Sequence, residues 1–339
     1  MPIILKIVSF LPSGNGANVI HRQLADADPE YSLFSYPPAL EYLPLTIPFM
    51  AVGRSRHADL IHASIDNGLF FHRKHAPLVV TAHNYVLDAY MREFSTPLQR
   101  LHYATDLRFF TRTTLRLSAC IVCVSEFVAD MLMERYPVRD RIRVIRNGVD
   151  HLRFVPPAEP PDRSTFKVLF SGNPTLRKGA QWLADIASRL DPGIEIHYTP
   201  GLRNYSTVPQ RENLLTTCRV EHDAMPDLYG RYHALLAPTV REGFGLGVAE
   251  AMACGLPVVA SDCSFIPELV EDGRGGCLCP VGDCQSYADG INRLASSPDS
   301  CREMGAFNRA RIEQSFRLDT MLKSYRELFL ELVQVRDRT

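Results

Sequence analysis

The sequence predicts an α/β protein of two domains, each a parallel sheet covered by helices. Three observations carry this expectation. Short apolar stretches of strand length alternate with helical stretches over the first 150 residues, a proline-rich break follows at 156–161, and the same alternation then restarts. At 339 residues the chain exceeds what one hydrophobic core usually organises, and a 46% hydrophobic content is enough for two.

The first strand is expected at 5–10. The apolar N-terminus around it resembles a secretion signal, but Lys6 interrupts it and a turn, Pro12-Ser-Gly14-Asn-Gly16, stands where a cleavage site would belong. Strands at 60–63, 78–82, 120–124 and 143–145 complete a first domain over 1–155. Cys120 and Cys123 lie in the strand at 120–124; an apolar strand pattern without a knuckle turn makes them packing residues rather than a metal or redox pair. Residues 156–163 form the linker. The second domain, 164–317, carries strands at 166–170, 195–198, 235–238 and 257–260, and an amphipathic helix begins the terminal segment 318–339. Cys277, Cys279 and Cys284 follow a glycine pair in a short strand and turn and are also expected to pack.

Composition narrows the function classes. A net charge of −1 makes no demand for nucleic acid, and no nucleic acid is expected as a partner. The nine cysteines are odd in number and scattered, which favours a reducing, cytoplasmic setting over a disulfide framework. No apolar run approaches the roughly 20 residues that span a bilayer.

The chemistry concentrates in Arg241-Glu-Gly-Phe-Gly-Leu-Gly-Val-Ala-Glu250. It reads as a strand leading into a glycine loop and then a helix stopped near Gly255. At such a helix start, free N–H groups and the positive end of the dipole favour a phosphate, and glycines remove side chains that would block it. Glu242 precedes the helix and Glu250 sits within it, so two carboxylates can accept hydrogen bonds from one hydroxyl-rich, phosphorylated ligand.

This stretch resembles the retaining glycosyltransferases of the GT-B fold, in particular the GT4 family, whose hallmark is two glutamates separated by seven residues. Glu242-Gly-Phe-Gly, Glu250-Ala-Met-Ala-Cys-Gly, Pro257-Val-Val-Ala-Ser and Pro267-Glu268-Leu-Val-Glu-Asp-Gly273 follow the family order. The resemblance implies two Rossmann-like domains facing each other across a cleft, with the last helix crossing back to the N-terminal domain and a hinge near Asn147-Gly148-Val149-Asp150. It implies that Glu242 holds sugar hydroxyls, that Glu250 holds the nucleotide ribose, and that Gly172, Asn173, Gly243, Phe244, Gly245 and Leu246 contact the donor.

The second domain opens with Val168-Leu-Phe-Ser-Gly172-Asn-Pro-Thr-Leu-Arg177-Lys178-Gly179, read as strand, turn and helix start. Two cations at a helix start oppose its dipole, and an anion would relieve them. In the family an arginine and a lysine of this turn hold the donor diphosphate. Lys178 matches the lysine, whereas Asn173 stands in the arginine's place and leaves Arg177 as the candidate to compensate. Cations aimed at the departing diphosphate lower the barrier electrostatically, so resemblance implies neither a protein nucleophile nor an obligatory metal or other cofactor. Asp26-Ala-Asp28 matches the metal motif of the other major glycosyltransferase fold, but three-residue matches are cheap and this one ends a surface helix.

In the first domain, Gly14 and Gly16 form a strand-to-helix turn that could admit a phosphate. It lacks the third glycine of a dinucleotide fingerprint, where Val19 stands, and the family places such a turn beside the donor diphosphate and acceptor. His83 lies at a strand's carboxyl end, where family members often carry a histidine near the transferred sugar. Arg108, Arg112 and Arg116 recur every four residues beside Phe109, Phe110 and Leu115, either a solvated helix face or a peripheral contact with anionic membrane. The activity the resemblance implies is transfer from a nucleotide-diphosphate sugar to a hydroxyl acceptor, with a lipid-linked glycan at the inner membrane surface as one candidate, in glycan, glycolipid or polysaccharide synthesis. A nucleotide-sugar 2-epimerase of related fold and a non-catalytic sugar-nucleotide sensor are the alternatives.

Overall fold

A computed structural model of the chain describes residues 5–14, 16–37, 40, 46–50, 53–200 and 208–336. The first four residues of the apolar N-terminus, and Asn15 between the two glycines of the first turn, lie outside the described residues. The chain divides into two compact units, one formed by Met1–Asn147 with Asp319–Thr339 and the other by Gly148–Leu318. The division falls before the proline-rich segment at 156–161, which belongs to the second unit.

The first unit holds six strands: β1 (Ile7–Pro12), β2 (Tyr31–Tyr36), β3 (Leu60–Ser64), β4 (Leu78–Ala82), β5 (Cys120–Cys123) and β6 (Ile142–Val144). Every adjacent pair is parallel, in the order β2-β1-β3-β4-β5-β6. Strands β1, β3, β4 and β5 are buried along their whole length. That burial is why they read as continuous apolar runs: in a parallel sheet helices cover both faces. β2 escaped the sequence reading for the opposite reason. It is an edge strand whose middle residues are partly exposed, with polar Ser32 and Ser35 breaking the apolar run.

The second unit repeats the plan with β7 (Phe166–Phe170), β8 (Ile194–Tyr198), β9 (Leu214–Thr216), β10 (Ala234–Ala237), β11 (Val258–Ser261) and β12 (Gly276–Cys279). Its order is β12-β11-β10-β7-β8-β9, again parallel throughout. The order reverses at β7, leaving a crevice beyond the carboxyl ends of β7 and β10, the place where open α/β sheets bind ligands.

Helices of eight residues or more are α1 (Gly16–Ala27), α2 (Pro97–Ala104), α3 (Asp106–Leu117), α4 (Glu126–Arg135), α5 (Leu246–Ala253), α6 (Cys284–Ser296), α7 (Pro298–Ser315) and α8 (Leu318–Arg336). From Asp319 onward α8 packs on the first unit. Arg326 bridges Asp28 and Glu30 at 2.9 and 2.6 Å, and Phe329 lies against Tyr31 and His62. Asp28 is thus engaged in a structural ion pair. Among the described residues no helix is long and apolar enough to cross a membrane.

Both cysteine-bearing strands pack as expected. Cys120 and Cys123 are buried in β5, where burial pushes their thiols up to about 11 and about 12, so they are unreactive at neutral pH. Cys279 belongs to the core of the second unit, and Cys277 and Cys284 pack against it.

Candidate active site

The sheet crevice of the second unit is built by three segments. Ser171 and Gly172 leave the end of β7, Thr239 to Arg241 leave the end of β10, and the glycine loop leads into α5. Together Ser171, Lys178, Thr239, Glu242, Gly245 and Gly247 line one recess. Gly245 is the N-cap of α5 with φ 84°, and no side chain caps this helix start. A larger residue there would adopt a left-handed conformation and press its Cβ to 3.0 Å from Ile266.

The segment bearing Arg177 and Lys178 departs from the sequence reading. Instead of the first turn of an α-helix it forms a 3-10 turn, Leu176–Lys178, closed by Gly179 at φ 81°. The reason lies across the crevice: a Cβ on Gly179 would stand 1.9 Å from the Pro238 carbonyl oxygen, so glycine alone lets this turn lie against the end of β10. That contact brings the cations to Glu242. Lys178 Nζ lies 2.6 Å from Glu242 Oε1, with Arg177 Nη1 3.6 Å from the same oxygen. Arg177 also donates to the Arg241 carbonyl at 3.0 Å.

Glu242 is 7% exposed, and Thr239 Oγ1 lies 3.1 Å from its carboxylate. Burial alone would raise this carboxyl, but the charges of Lys178 and Arg177 and the hydrogen bonds from Lys178 and Thr239 outweigh it and hold the carboxyl below its ordinary value. Glu250 is 6% exposed and behaves oppositely. Burial lifts it to about 7 against the opposing Tyr229 hydrogen bond and the charges of Arg153 and Lys178. Tyr229 Oη lies 3.1 Å from Glu250 Oε2, 3.2 Å from the Gly247 carbonyl and 3.2 Å from Ser171 Oγ, so one hydroxyl ties the helix start to the end of β7. Two buried acids eight positions apart are thus shifted in opposite directions: Glu242 faces Lys178 and Arg177, whereas Glu250 has the His222 imidazole 3.9 Å from its Oε1.

The remaining expected donor-side residues sit around this recess with different exposures. Gly172, at φ 115°, exchanges two hydrogen bonds with Thr199, and Asn173 is exposed beside it. Gly243 and Leu246 flank the loop. The Phe244 ring is buried against Phe265 and Phe316 at 5.1 and 5.8 Å between centroids, so its side chain supports the loop from beneath. Tyr229, Thr239 and Arg241 went unread in the sequence. Thr239 carried a usable signal, its position directly beyond a strand's carboxyl end; Tyr229 reaches the site from a short helix, Met225–Tyr229, that has no motif of its own.

In the first unit, Gly14 follows β1 with φ 78° and Gly16 opens α1. His83 follows β4, and its Nε2 lies 3.3 Å from His21 Nε2. Burial draws the His83 imidazole down to about 4, so the ring is neutral at physiological pH. On α3, Arg108, Arg112 and Arg116 are exposed and Phe109 is 63% exposed. The apolar neighbours divide: Leu115 is buried in the core and Phe110 packs on Phe70, while Leu98 and Leu101 of α2 add exposed apolar surface.

Comparison with known proteins agrees with this architecture. A family described as "Glycosyltransferase Family 4" matches residues 8–153, and one described as "Glycosyl transferases group 1" matches residues 165–297. The alpha-maltose-1-phosphate synthase of Mycolicibacterium smegmatis is 30% identical over 236 residues, 60% of this chain and 61% of that protein. The chain therefore spans less than two thirds of that relative. Among solved structures, sucrose-phosphate synthase from Thermosynechococcus elongatus superposes with TM-score 0.82 at 18% identity, covering 97% of this chain and 100% of that one. Anabaena Alr3699/HepE in complex with UDP-glucose gives 0.80 at 20% identity, covering 96% and 99%. These likenesses show the GT-B fold.

Proposed function

The chain belongs to the family 4, group 1 glycosyltransferases, and from that premise we propose that it moves a sugar from a nucleoside-diphosphate donor to a hydroxyl acceptor with retention of anomeric configuration. The observation that carries this reading is the pairing of Lys178 and Arg177 with Glu242 beside the uncapped start of α5. Without donor, each charge is compensated by the other. A diphosphate seated at the helix start competes for Lys178 and Arg177, and its arrival releases the Glu242 carboxylate to accept hydrogen bonds from sugar hydroxyls. Glu250, held by Tyr229, takes the ribose hydroxyls.

Bond cleavage leaves charge on the diphosphate. Lys178, Arg177 and the helix-start N–H groups stabilise that charge as it develops, so this chain supplies the leaving-group electrostatics from its own residues without an obligatory metal. Glu242 is committed to the sugar and serves as no covalent nucleophile. The acceptor oxygen then attacks the anomeric carbon on the face the diphosphate leaves, and its hydroxyl proton passes to the departing diphosphate oxygen. Gly14 and Gly16 give backbone access for the diphosphate and acceptor, and His83 hydrogen-bonds the transferred sugar or acceptor. The exposed arginines of α3 with Phe109 favour an anionic membrane surface as the place of action, with a lipid-linked acceptor in glycan, glycolipid or polysaccharide synthesis on the cytoplasmic side.

Calorimetric titration with UDP, GDP, ADP and dTDP, followed by incubation of the corresponding sugars with hydroxyl acceptors, tests the proposal. Transfer to an acceptor is the expected result. Release of an epimerised sugar would replace it with the epimerase reading, and tight binding without transfer or hydrolysis with a sensor.

A further inference from the structure

The core of the first unit contains an unusual run of polar groups. His21 on α1, Tyr31 on β2, His62 on β3, Thr81 on β4 and Tyr325 on α8 are all fully or almost fully buried, and His83 follows β4. They form one continuous chain. Tyr325 Oη lies 3.2 Å from Thr81 Oγ1, which lies 2.7 Å from His62 Nε2. His62 Nδ1 is 2.7 Å from Tyr31 Oη, Tyr31 Oη is 2.8 Å from His21 Nδ1, and His21 Nε2 is 3.3 Å from His83 Nε2. The His21 and His62 rings also stack, 4.1 Å between centroids.

We infer that His21 is a positioning residue for His83 and that the buried relay from Tyr325 through Thr81, His62, Tyr31 and His21 fixes the His83 proton on Nδ1. The functional consequence rests on the role proposed above for His83.

Burial holds His21 and His62 well below the ordinary histidine value, so each ring is neutral and carries a single N–H. Such a chain has two self-consistent polarities. In one, Tyr325 donates to Thr81, Thr81 to His62 Nε2, His62 Nδ1–H to Tyr31, Tyr31 to His21 Nδ1, and His21 Nε2–H to His83 Nε2. In the other every bond reverses, and the Tyr325 hydroxyl hydrogen loses its acceptor, because Thr81 is the one hydrogen-bond partner of Tyr325 among the described residues. A buried hydroxyl left without an acceptor costs about 1–3 kcal/mol, enough to select the first polarity. Ser9 closes the remaining alternative, in which Tyr31 donates to Ser9 and His21 Nδ1 carries the proton: Ser9 is fully buried, and among the described residues its hydroxyl hydrogen has only His21 Nδ1, 2.8 Å away, and the Tyr31 oxygen as acceptors, so that arrangement would strand it.

With Nε2 accepting from His21, the neutral His83 ring bears its proton on Nδ1. Among the described residues His21 is the one hydrogen-bond partner of His83, so the Nδ1–H is free to donate to a substrate oxygen. The relay thereby makes His83 a hydrogen-bond donor and links its tautomer to a hydroxyl on the last helix.

Two-bond 15N–1H correlation spectra of the full chain labelled with 15N-histidine read the tautomer directly. Wild type should show His83 protonated at Nδ1. Tyr31→Phe combined with Ser9→Ala removes both hydroxyls that face His21 Nδ1 and should give a mixture of His83 tautomers. His21→Phe should lower kcat for transfer on the order of 10-fold while UDP affinity stays unchanged, and His21→Gln, which restores an N–H donor, should recover most of that loss. A wild-type His83 protonated at Nε2, or a His83 signal indifferent to the combined Tyr31→Phe and Ser9→Ala exchange, would overturn the inference. Should wild type transfer no sugar at all, the proposed function fails and the imidazole signals still decide the relay.

Discussion

Lys178 Nζ lies 2.6 Å from the Glu242 carboxylate, so the donor binding proposed above would exchange the partner of Lys178. Replacing Lys178 with alanine removes the nearest cation from the departing diphosphate. Turnover at saturating donor should fall on the order of 100-fold, with the thermal unfolding of the variant close to wild type; unchanged turnover would remove Lys178 from the reaction. Glu250 makes a separate forecast. A ribose hydroxyl donates best to the ionised carboxylate, and burial lifts this carboxyl to about 7, so the proposed nucleotide binding should release a proton. Affinity should therefore rise with pH, by about 10-fold between pH 6 and 8. In Glu250→Gln the dependence should shrink to that of the diphosphate itself, as calorimetry in buffers of different ionisation enthalpy would show.

At the scale of elements, the decisive piece is the short turn that lays Lys178 against β10. Gly179→Ala places a methyl group 1.9 Å from the Pro238 carbonyl and should displace the turn, weakening UDP binding as strongly as loss of Lys178 itself. The last helix carries a stability forecast. Phe329 is buried among Tyr31, His62 and Tyr325, and Phe329→Ala should cost about 3–5 kcal/mol in denaturant unfolding. On α3, exchanging Arg108, Arg112 and Arg116 for glutamine should reduce binding to anionic vesicles and spare transfer to a soluble acceptor; wild type that ignores such vesicles would contradict the membrane assignment. How much of this was legible in the sequence follows from burial. The strands buried on both faces announced themselves as apolar runs, whereas edge strands β2 and β9 did not, being half exposed or only three residues long. Glu242, Glu250 and Lys178 were legible because they sit in a contiguous motif or a strand-to-turn segment. Tyr229 was not, since it reaches the site from a short helix without a motif, and the buried histidine relay was not, since residues far apart in sequence meet only when the first sheet aligns β2, β1, β3 and β4.

For the whole molecule, the chain builds the same parallel sheet twice and returns to the first unit with its last helix, and the proposed donor site falls at the point in the second sheet where strand order reverses. The central claim is that side-chain cations and a helix start, rather than a metal or a protein nucleophile, drive departure of the diphosphate. The most direct test is the anomeric configuration of the transferred sugar, read by 1H NMR on product formed in the presence of excess chelator. The account predicts full turnover and a product with the anomeric configuration of the donor. An inverted product, or activity that vanishes with chelator and returns with a divalent ion, would contradict it.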